Sequence, residues 1–221
     1  MTITPLEING YSSLSIFQEL LSQQPQLLKN APKEPGIYLL YSHDGSPSYV
    51  GASTNIYGRI MNHVSGDGRQ GGNSHKFTQL YKTGLMWFDR LCIDKEILGK
   101  HQTQEHVEAV KKLRKYAVRQ DCRCAFFVIK PVPDISLNEH YKTVLKPLEE
   151  NIIDCIDKQG CIGPSKLLWN NSQCLTSEFT DIEGWQQTKV EQAILEGVIN
   201  EEEKVLILEQ LELYQKVIAA T

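Results

Sequence analysis

The chain of 221 residues is long enough to bury a hydrophobic core in one domain and to add an appendage. Its 41% hydrophobic and 23% charged residues, without an apolar run near about 18 residues, predict a globular protein and exclude a membrane-spanning one. Because the first five residues lack the charged and apolar regions of a signal peptide, we expect a cytoplasmic protein with reduced cysteines.

The charge distribution is uneven along the chain. The formal net charge of −4 argues at first against a protein that binds nucleic acid. However, residues 178–221 contain ten acidic and three basic residues, which leaves a net charge of +3 on residues 1–177. Residues 100–130 alone hold eight Lys or Arg against three acids. The sequence therefore predicts a basic body, which suits a polyanionic partner, followed by an acidic tail.

Residues 13–29 form an amphipathic pattern that predicts a helix covering the sheet. Ser13 or Ser15 is expected to cap it, and Pro32 and Pro35 separate it from the next element. We expect no chemistry in this N-terminal helical extension, which we assign to residues 1–35.

A β-hairpin is the central prediction. Apolar and aromatic residues at 36–41 and 47–51 predict two strands, and Asp44-Gly45 between them is a turn signal. Tyr38 and Tyr49 lie on these paired strands, so that their phenols can converge on one patch.

A helix carrying Arg and His is predicted directly after the hairpin. Gly51 is expected to end the second strand, and Asn55 to begin the helix. One helical face is apolar, with Ile56, Ile60 and Val64. Arg59 and His63 lie four residues apart on another face, and therefore neighbour each other.

This combination resembles the GIY-YIG nuclease family. The resemblance rests on Gly-Ile-Tyr at 36–38, Tyr-Val-Gly at 49–51, Arg59 ten residues after the second Tyr, and His63. Later parts of the pattern are Leu148-Glu149 with two apolar residues shortly after it, and Trp169-Asn170. The family's fold implies an α/β (α+β) domain, with a small, mainly antiparallel sheet flanked by helices, which we assign to residues 36–177.

The resemblance also implies a metal-dependent DNA endonuclease. Its catalytic residues would be Tyr38, Tyr49, Arg59, His63, Glu149 and Asn170. Glu149 would hold Mg²⁺ (or Mn²⁺), and double-stranded DNA would be the substrate. The helical repeat places Glu149 at the border of the buried face and turns Glu150 away by about 100°. Glu150 is therefore expected to be a solvated acid.

The long spacings within the pattern favour an expanded, restriction-type member of the family. Ala52 stands where the excision-repair branch often has Lys, which argues against that branch. Two alternatives stay open: a structure-specific repair or recombination nuclease with the same chemistry, and a non-catalytic DNA-binding or protein-binding module of the same fold.

Two segments are candidates for contacts with the DNA backbone. A glycine-rich loop at 65–74 lets backbone N–H groups approach phosphates, and with the residues after it supplies Arg69, Asn73, His75 and Lys76. A predicted helix at 102–119 supplies Lys111, Lys112, Lys115 and Arg119. The alternatives are a mobile surface loop and a solvated basic face.

Further strands and a helix are predicted in the rest of the body. Strands are predicted at 85–93, in a central position, and at 123–130. Ser136 to Glu139 is a capping-box pattern that begins a helix, and Pro147 is expected to reset that helix. Cys122 and Cys124 have only one residue between them, which makes them a poor zinc pair.

The acidic appendage, residues 178–221, is predicted to contain helices at 190–198 and 201–217. Its apolar stripe comprises Val205, Leu208, Leu211 and Val217, widened by Leu206, Leu213 and Ile218. Such a stripe must pack either on the body or on a second subunit, and we favour a homodimer through these C-terminal helices.

Overall fold

The computed structural model describes residues 4–43, 45, 47–65, 104–159 and 182–218. They divide into two compact units. The first contains the described residues of 4–63 and 119–159, and the second contains 64–65, 104–118 and 182–218. The domain boundaries expected from the sequence stay predictions. In the described ranges, no helix is both long and apolar enough to cross a bilayer.

An antiparallel sheet forms the framework of the first unit. Its described strands have the order β3-β6-β4-β5 and comprise β3 (Gln26–Leu27), β4 (Gly36–Tyr41), β5 (Pro47–Ser53) and β6 (Arg123–Val128). Every residue of β4 is buried, and this strand is paired on both edges. The structure therefore confirms the predicted α+β class with a small antiparallel sheet.

Close approach of β4 and β6 requires glycine at position 36. A Cβ atom on Gly36 would lie 2.1 Å from the backbone carbonyl oxygen of Phe127 on β6. Backbone cannot yield as a flexible side chain can, so any larger residue would push the two strands apart. The first glycine of the hairpin thus secures the central strand pair.

The predicted hairpin is confirmed as β4 and β5, with one difference. The expectation that Gly51 ends the second strand is wrong, because β5 continues to Ser53. The pairing shifts between Leu40 and Tyr41, which face Tyr49 and Pro47, so one extra residue is accommodated there. Gly51 instead lies directly opposite Tyr38 in the register.

The N-terminal helix covers the sheet, as predicted, but it ends earlier than residue 29. Helix α1 spans Ser13–Ser22, and Pro25 explains its end, since proline lacks the N–H and biases the residue before it toward extended backbone. The expected caps are also wrong: Ser12 is the N-cap residue. The Ser13 hydroxyl instead donates to the Asn151 side chain at 2.6 Å, which ties this segment to the helix that carries Glu149.

A short hairpin precedes α1, with strands β1 (Glu7–Ile8) and β2 (Tyr11–Ser12). Its turn residues Asn9 and Gly10 both have positive φ, as a tight hairpin of this kind requires. The core of the first unit lies between α1, the sheet and the later helices. Among its buried members are Ile16, Phe17, Leu20, Ile37, Leu39, Val50, Leu145, Leu148 and Ile152.

Helix α2 (Ile56–Ser65) follows the hairpin as predicted. The Asn55 side chain accepts a hydrogen bond from the backbone N–H of Gly58 at 3.0 Å, which fixes where the helix begins. Ile56, Ile60 and Val64 are buried, so the apolar face is also the predicted one.

The helix that carries Glu149 contains a π-helical turn. It runs through α4 (Leu137–His140), the π turn (Tyr141–Leu145) and α5 (Lys146–Gln159). The Ser136 side chain accepts from the Glu139 N–H, which confirms the predicted cap. Pro147 has no N–H to donate into the preceding turn, and the helix changes its hydrogen-bond pattern there, so the predicted reset is confirmed.

The second unit is helical in its described residues. It contains residues 104–118 of α3 (Gln104–Asp121), with α6 (Ile182–Leu195) and α7 (Glu201–Ile218). Its core comprises Ala109, Leu113, Tyr116, Val190, Ala193, Ile199 and Ile207. The described part of the tail thus packs on α3 of the same chain. Val205 was expected in the apolar stripe but is 53% exposed, and self-association through these helices stays a prediction.

Candidate active site

Tyr38 is the centre of the site. Its side chain is fully buried on the central strand, and its hydroxyl lies 3.0 Å from Nε2 of His63 on α2. A Cβ atom on Gly51 would lie 2.3 Å from both the hydroxyl oxygen and the ring carbon that bears it. Position 51 must therefore be glycine for the Tyr38 ring to lie across β5 and reach His63.

Tyr49 and His63 complete the aromatic part of the site. The Tyr49 ring meets His63 edge-on, with centroids 5.1 Å apart, and its centroid lies 6.2 Å from that of Tyr38. The two phenols also share a hydrogen bond. The sequence prediction that the two phenols converge on one patch is confirmed. Together with Arg59, these three residues are called the tyrosine cluster below.

Arg59 lies one helical turn before His63 and donates hydrogen bonds to both phenols. Burial, followed by the effect of Tyr49, raises the pKa of Tyr38 well above its usual value, and Arg59 opposes part of this rise. Burial likewise raises the pKa of Tyr49. Both phenols consequently hold their protons at neutral pH unless a neighbour accepts one, and the guanidinium stabilises the charge formed if it does.

Glu149 approaches the tyrosine cluster from α5. Its partly buried carboxylate accepts a hydrogen bond from the backbone N–H of Ala52. Burial raises the pKa of Glu149 to about 7, although the Ala52 N–H and the Arg59 charge counteract this. Glu150 is exposed and lies 3.5 Å from Lys146. The predicted contrast between the two adjacent acids is therefore confirmed.

A cavity of about 480 Å³ opens beside Arg59. Its lining residues are Ala52, Ser53, Thr54, Arg59, Leu137, Asn138 and Tyr141, and it is called the hairpin cavity below. The sequence analysis missed Asn138 and Tyr141. The sequence contained one indication of a role for these two residues, which is that they lie two to three helical turns before Glu149. Their direction depends on the π turn, which has no recognisable sequence pattern.

The basic residues predicted to bind DNA fall into two groups. On α3, Lys111 lies 3.1 Å from Glu108, Lys112 pairs with Glu203 of α7, and Arg119 is exposed. The loop candidates Arg69, Asn73, His75 and Lys76, the predicted central strand at 85–93 and the catalytic candidate Asn170 lie outside the described residues.

The described residues contain no cluster of three or more His, Cys, Asp or Glu side chains that would enclose a metal ion. A single carboxylate still suits Mg²⁺, which keeps several waters and takes further oxygens from substrate phosphates. Glu149 is partly buried and interacts electrostatically with the Arg59 guanidinium, and as a single carboxylate it meets that description.

Comparison with known proteins identifies the domain that these residues build. Residues 34–109 match the family model of the GIY-YIG catalytic domain, which confirms the resemblance drawn from the motifs. No curated protein and no solved structure shows significant similarity to the chain. The matched residues include the tyrosine cluster, whereas Glu149 lies beyond the match.

Proposed function

Because residues 34–109 are a GIY-YIG catalytic domain, and so indicate a nuclease, we propose that this protein is a metal-dependent endonuclease of double-stranded DNA. The observation that carries the proposal is the contact of 3.0 Å between the Tyr38 hydroxyl and His63 Nε2, with Arg59 bonded to both phenols. Hydrolysis of a phosphodiester requires a proton acceptor for the attacking water and a positively charged group beside the phosphate, and this cluster contains both.

Tyr38 is the proposed proton acceptor, acting together with His63. An ordinary phenol with a pKa near 10 is ionised in only about one molecule in a thousand at pH 7, and burial lowers that fraction further here. Tyr38 therefore first passes its own proton to His63 Nε2, and the phenolate that remains then takes the proton of the attacking water. The hydrogen bonds from Arg59 stabilise the phenolate that forms transiently.

Arg59 also faces the substrate, because it lines the hairpin cavity. A guanidinium binds phosphate oxygens through two parallel hydrogen bonds, which both orients the phosphate and neutralises its charge. Glu149 would hold Mg²⁺ (or Mn²⁺). The ion, when bound, supplies charge near the leaving oxygen. Asn170 is proposed to orient groups around the site.

Plasmid cleavage tests the proposal. Supercoiled DNA should be cut in the presence of Mg²⁺ and left intact with a chelator. Glu149→Gln should lower the rate by at least about 10³-fold, since it removes the metal ligand, while Glu150→Gln serves as the matched control and should cut normally. If the wild-type protein leaves the plasmid intact, the endonuclease proposal fails and a non-catalytic binding module is the alternative. If Glu150→Gln is inactive, the assignment of Glu149 as the metal ligand is wrong.

The finer proposal is a site-specific, restriction-type enzyme, supported by the long spacing between His63 and Glu149. Mapping the ends of the cleavage products decides it. Ends at one repeated sequence support a restriction-type enzyme. Ends that follow branches or flaps in the substrate, regardless of sequence, support a structure-specific repair or recombination nuclease.

A further inference from the structure

The hairpin cavity has a second wall that neither the family motifs nor the proposed mechanism uses. One wall comes from the hairpin and α2, and includes Arg59. The opposite wall comes from α4 and the π turn, and consists of Leu137, Asn138 and Tyr141. These three residues are adjacent on the helix surface, because side chains three and four residues apart share a face.

The polar groups of this cavity are hydrogen-bond donors, which suits an anion. Arg59 contributes a guanidinium, Thr54 a hydroxyl, Asn138 an amide and Tyr141 a phenol. Ser53 differs, since its hydroxyl is already engaged with the backbone of Asn55 at 2.9 Å. No carboxylate belongs to the lining, although Glu149 and Glu150 act through space on Tyr141, so the wall itself offers hydrogen-bond donors to a ligand.

The π turn determines where Tyr141 points. In a continuous α-helix, Tyr141 and Glu149 would differ by about 80° around the axis, according to the 3.6-residue repeat. The wider turn at Tyr141–Leu145 reduces that offset, and the Glu149 carboxylate and the Arg59 guanidinium both act through space on the Tyr141 phenol. Tyr141 therefore faces the same site as the proposed metal ligand, and single π turns are frequent at functional sites.

The Tyr141 hydroxyl is available to a ligand. The side chain is only partly buried, and within the described ranges no hydrogen bond engages its hydroxyl. Burial, followed by the effect of Glu149, raises the pKa of Tyr141, so this phenol stays protonated and acts as a donor at neutral pH. Leu137 beside it is 51% exposed and offers an apolar contact.

We propose that Tyr141, assisted by Asn138, binds a phosphate of the nucleic-acid backbone in the hairpin cavity, opposite Arg59. This inference rests on the proposed function and deepens it, because it adds substrate contacts on the second wall of the same site. Tyr141 holds the phosphate by a hydrogen bond and takes no part in proton transfer.

Tyr141→Phe removes only the hydroxyl and is the main test. The dissociation constant for a labelled linear fragment of the cleaved plasmid should rise about 10- to 100-fold, the range for a hydrogen bond to a charged group. The same weakening should appear in kcat/KM for cleavage, mostly through KM. Tyr11→Phe is the matched control, since Tyr11 is also partly buried but packs edge-on against Phe127 at 6.0 Å, and it should bind normally.

Asn138→Ala provides a second variant that leaves the core untouched, because Asn138 is exposed. It should weaken binding by several-fold without changing the melting temperature. Unchanged DNA binding and an unchanged KM in Tyr141→Phe would overturn the proposal. A lower melting temperature of Tyr141→Phe, together with normal DNA binding by Asn138→Ala, would also overturn it. If the wild type binds DNA without cutting it while Tyr141→Phe still binds more weakly, the endonuclease proposal fails and the phosphate contact stands.

Discussion

The tyrosine cluster with Glu149 in the first unit and the basic face of α3 in the second unit differ in how far their ionisable groups are removed from water. In the first unit, burial raises the pKa values of Tyr38 and Glu149, and one guanidinium bonds to two buried phenols. In the second unit, the side chain of Lys112 is 55% exposed where it pairs with Glu203. The Lys112 hydrogen bond lowers the pKa of Glu203.

This difference in burial predicts that the first unit governs the cleavage rate and that α3 contributes to DNA affinity. Electrostatic interactions strengthen as water is excluded, so small displacements in the first unit have large effects on proton affinity. Exposed ion pairs contribute little and are screened by salt. We therefore expect substitutions in the tyrosine cluster to change rates, and substitutions on α3 to change binding in a salt-dependent way.

Among changes to the packing of the two units, the largest expected effect follows from filling the space beside the Tyr38 ring. Gly51→Ala places a Cβ atom 2.3 Å from the Tyr38 hydroxyl, so the phenol must move away from His63. A displacement of this size should lower the cleavage rate by at least about 10²-fold. Rates should be measured on plasmid DNA at saturating protein.

Gly36→Ala is the comparison for this variant. Its Cβ atom would meet the Phe127 carbonyl instead of a side chain, so it should lower the melting temperature more than Gly51→Ala does. Full activity in Gly51→Ala would show that the position of Tyr38 beside His63 does not matter to catalysis.

The pH dependence of stability tests the burial of Glu149. Its pKa is raised from 4.5 to about 7, so the folded state binds the proton more tightly than the unfolded state. This stabilisation is fully present below pH 4.5 and is lost as the pH rises through about 7. Glutamine at position 149 has no proton to lose. The unfolding free energy of Glu149→Gln minus that of wild type should therefore rise by about 3 kcal/mol as the pH increases from 4.5 to about 7.

Denaturant titrations with a chelator present measure this difference across the pH range. Glu150→Gln, at an exposed position, should follow the wild type at every pH. A constant difference between Glu149→Gln and wild type would mean that the carboxylate is solvated in the folded protein.

The smallest effect is expected on α3, in the salt dependence of DNA binding. Charge reversal of Lys111, Lys112 and Lys115 should weaken binding and flatten the slope of log K against log salt by about one unit for each phosphate that the protein no longer neutralises. Lys130→Glu, at an exposed position in the first unit, is the control. Glu203→Gln should strengthen binding, since it releases Lys112.

An unchanged slope in the triple variant would show that this face of α3 does not bind DNA. The contrast between the two units would then become sharper, because DNA affinity would have to come from elsewhere, including the phosphate-binding groups of the hairpin cavity.

The hairpin, the helix after it and the register of the two acids on α5 were predictable from the sequence. These features depend on local rules: alternation in a strand, a helix cap at Asn55, and a repeat of 3.6 residues that buries Glu149 and exposes Glu150. The early end of α1 also follows from a local rule, the effect of Pro25, which outweighed the amphipathic pattern.

How these parts meet depends on contacts between residues that are far apart in the chain. The Tyr38 hydroxyl reaches His63 because Gly51, on the neighbouring strand, leaves room for the ring. Lys112 is paired with an acid 91 positions further along the chain, and Tyr141 enters the cavity through a π turn. Such interactions, and the proton affinities that burial gives to Tyr38 and Glu149, depend on which distant residues exclude water from a group, and no local spacing encodes that.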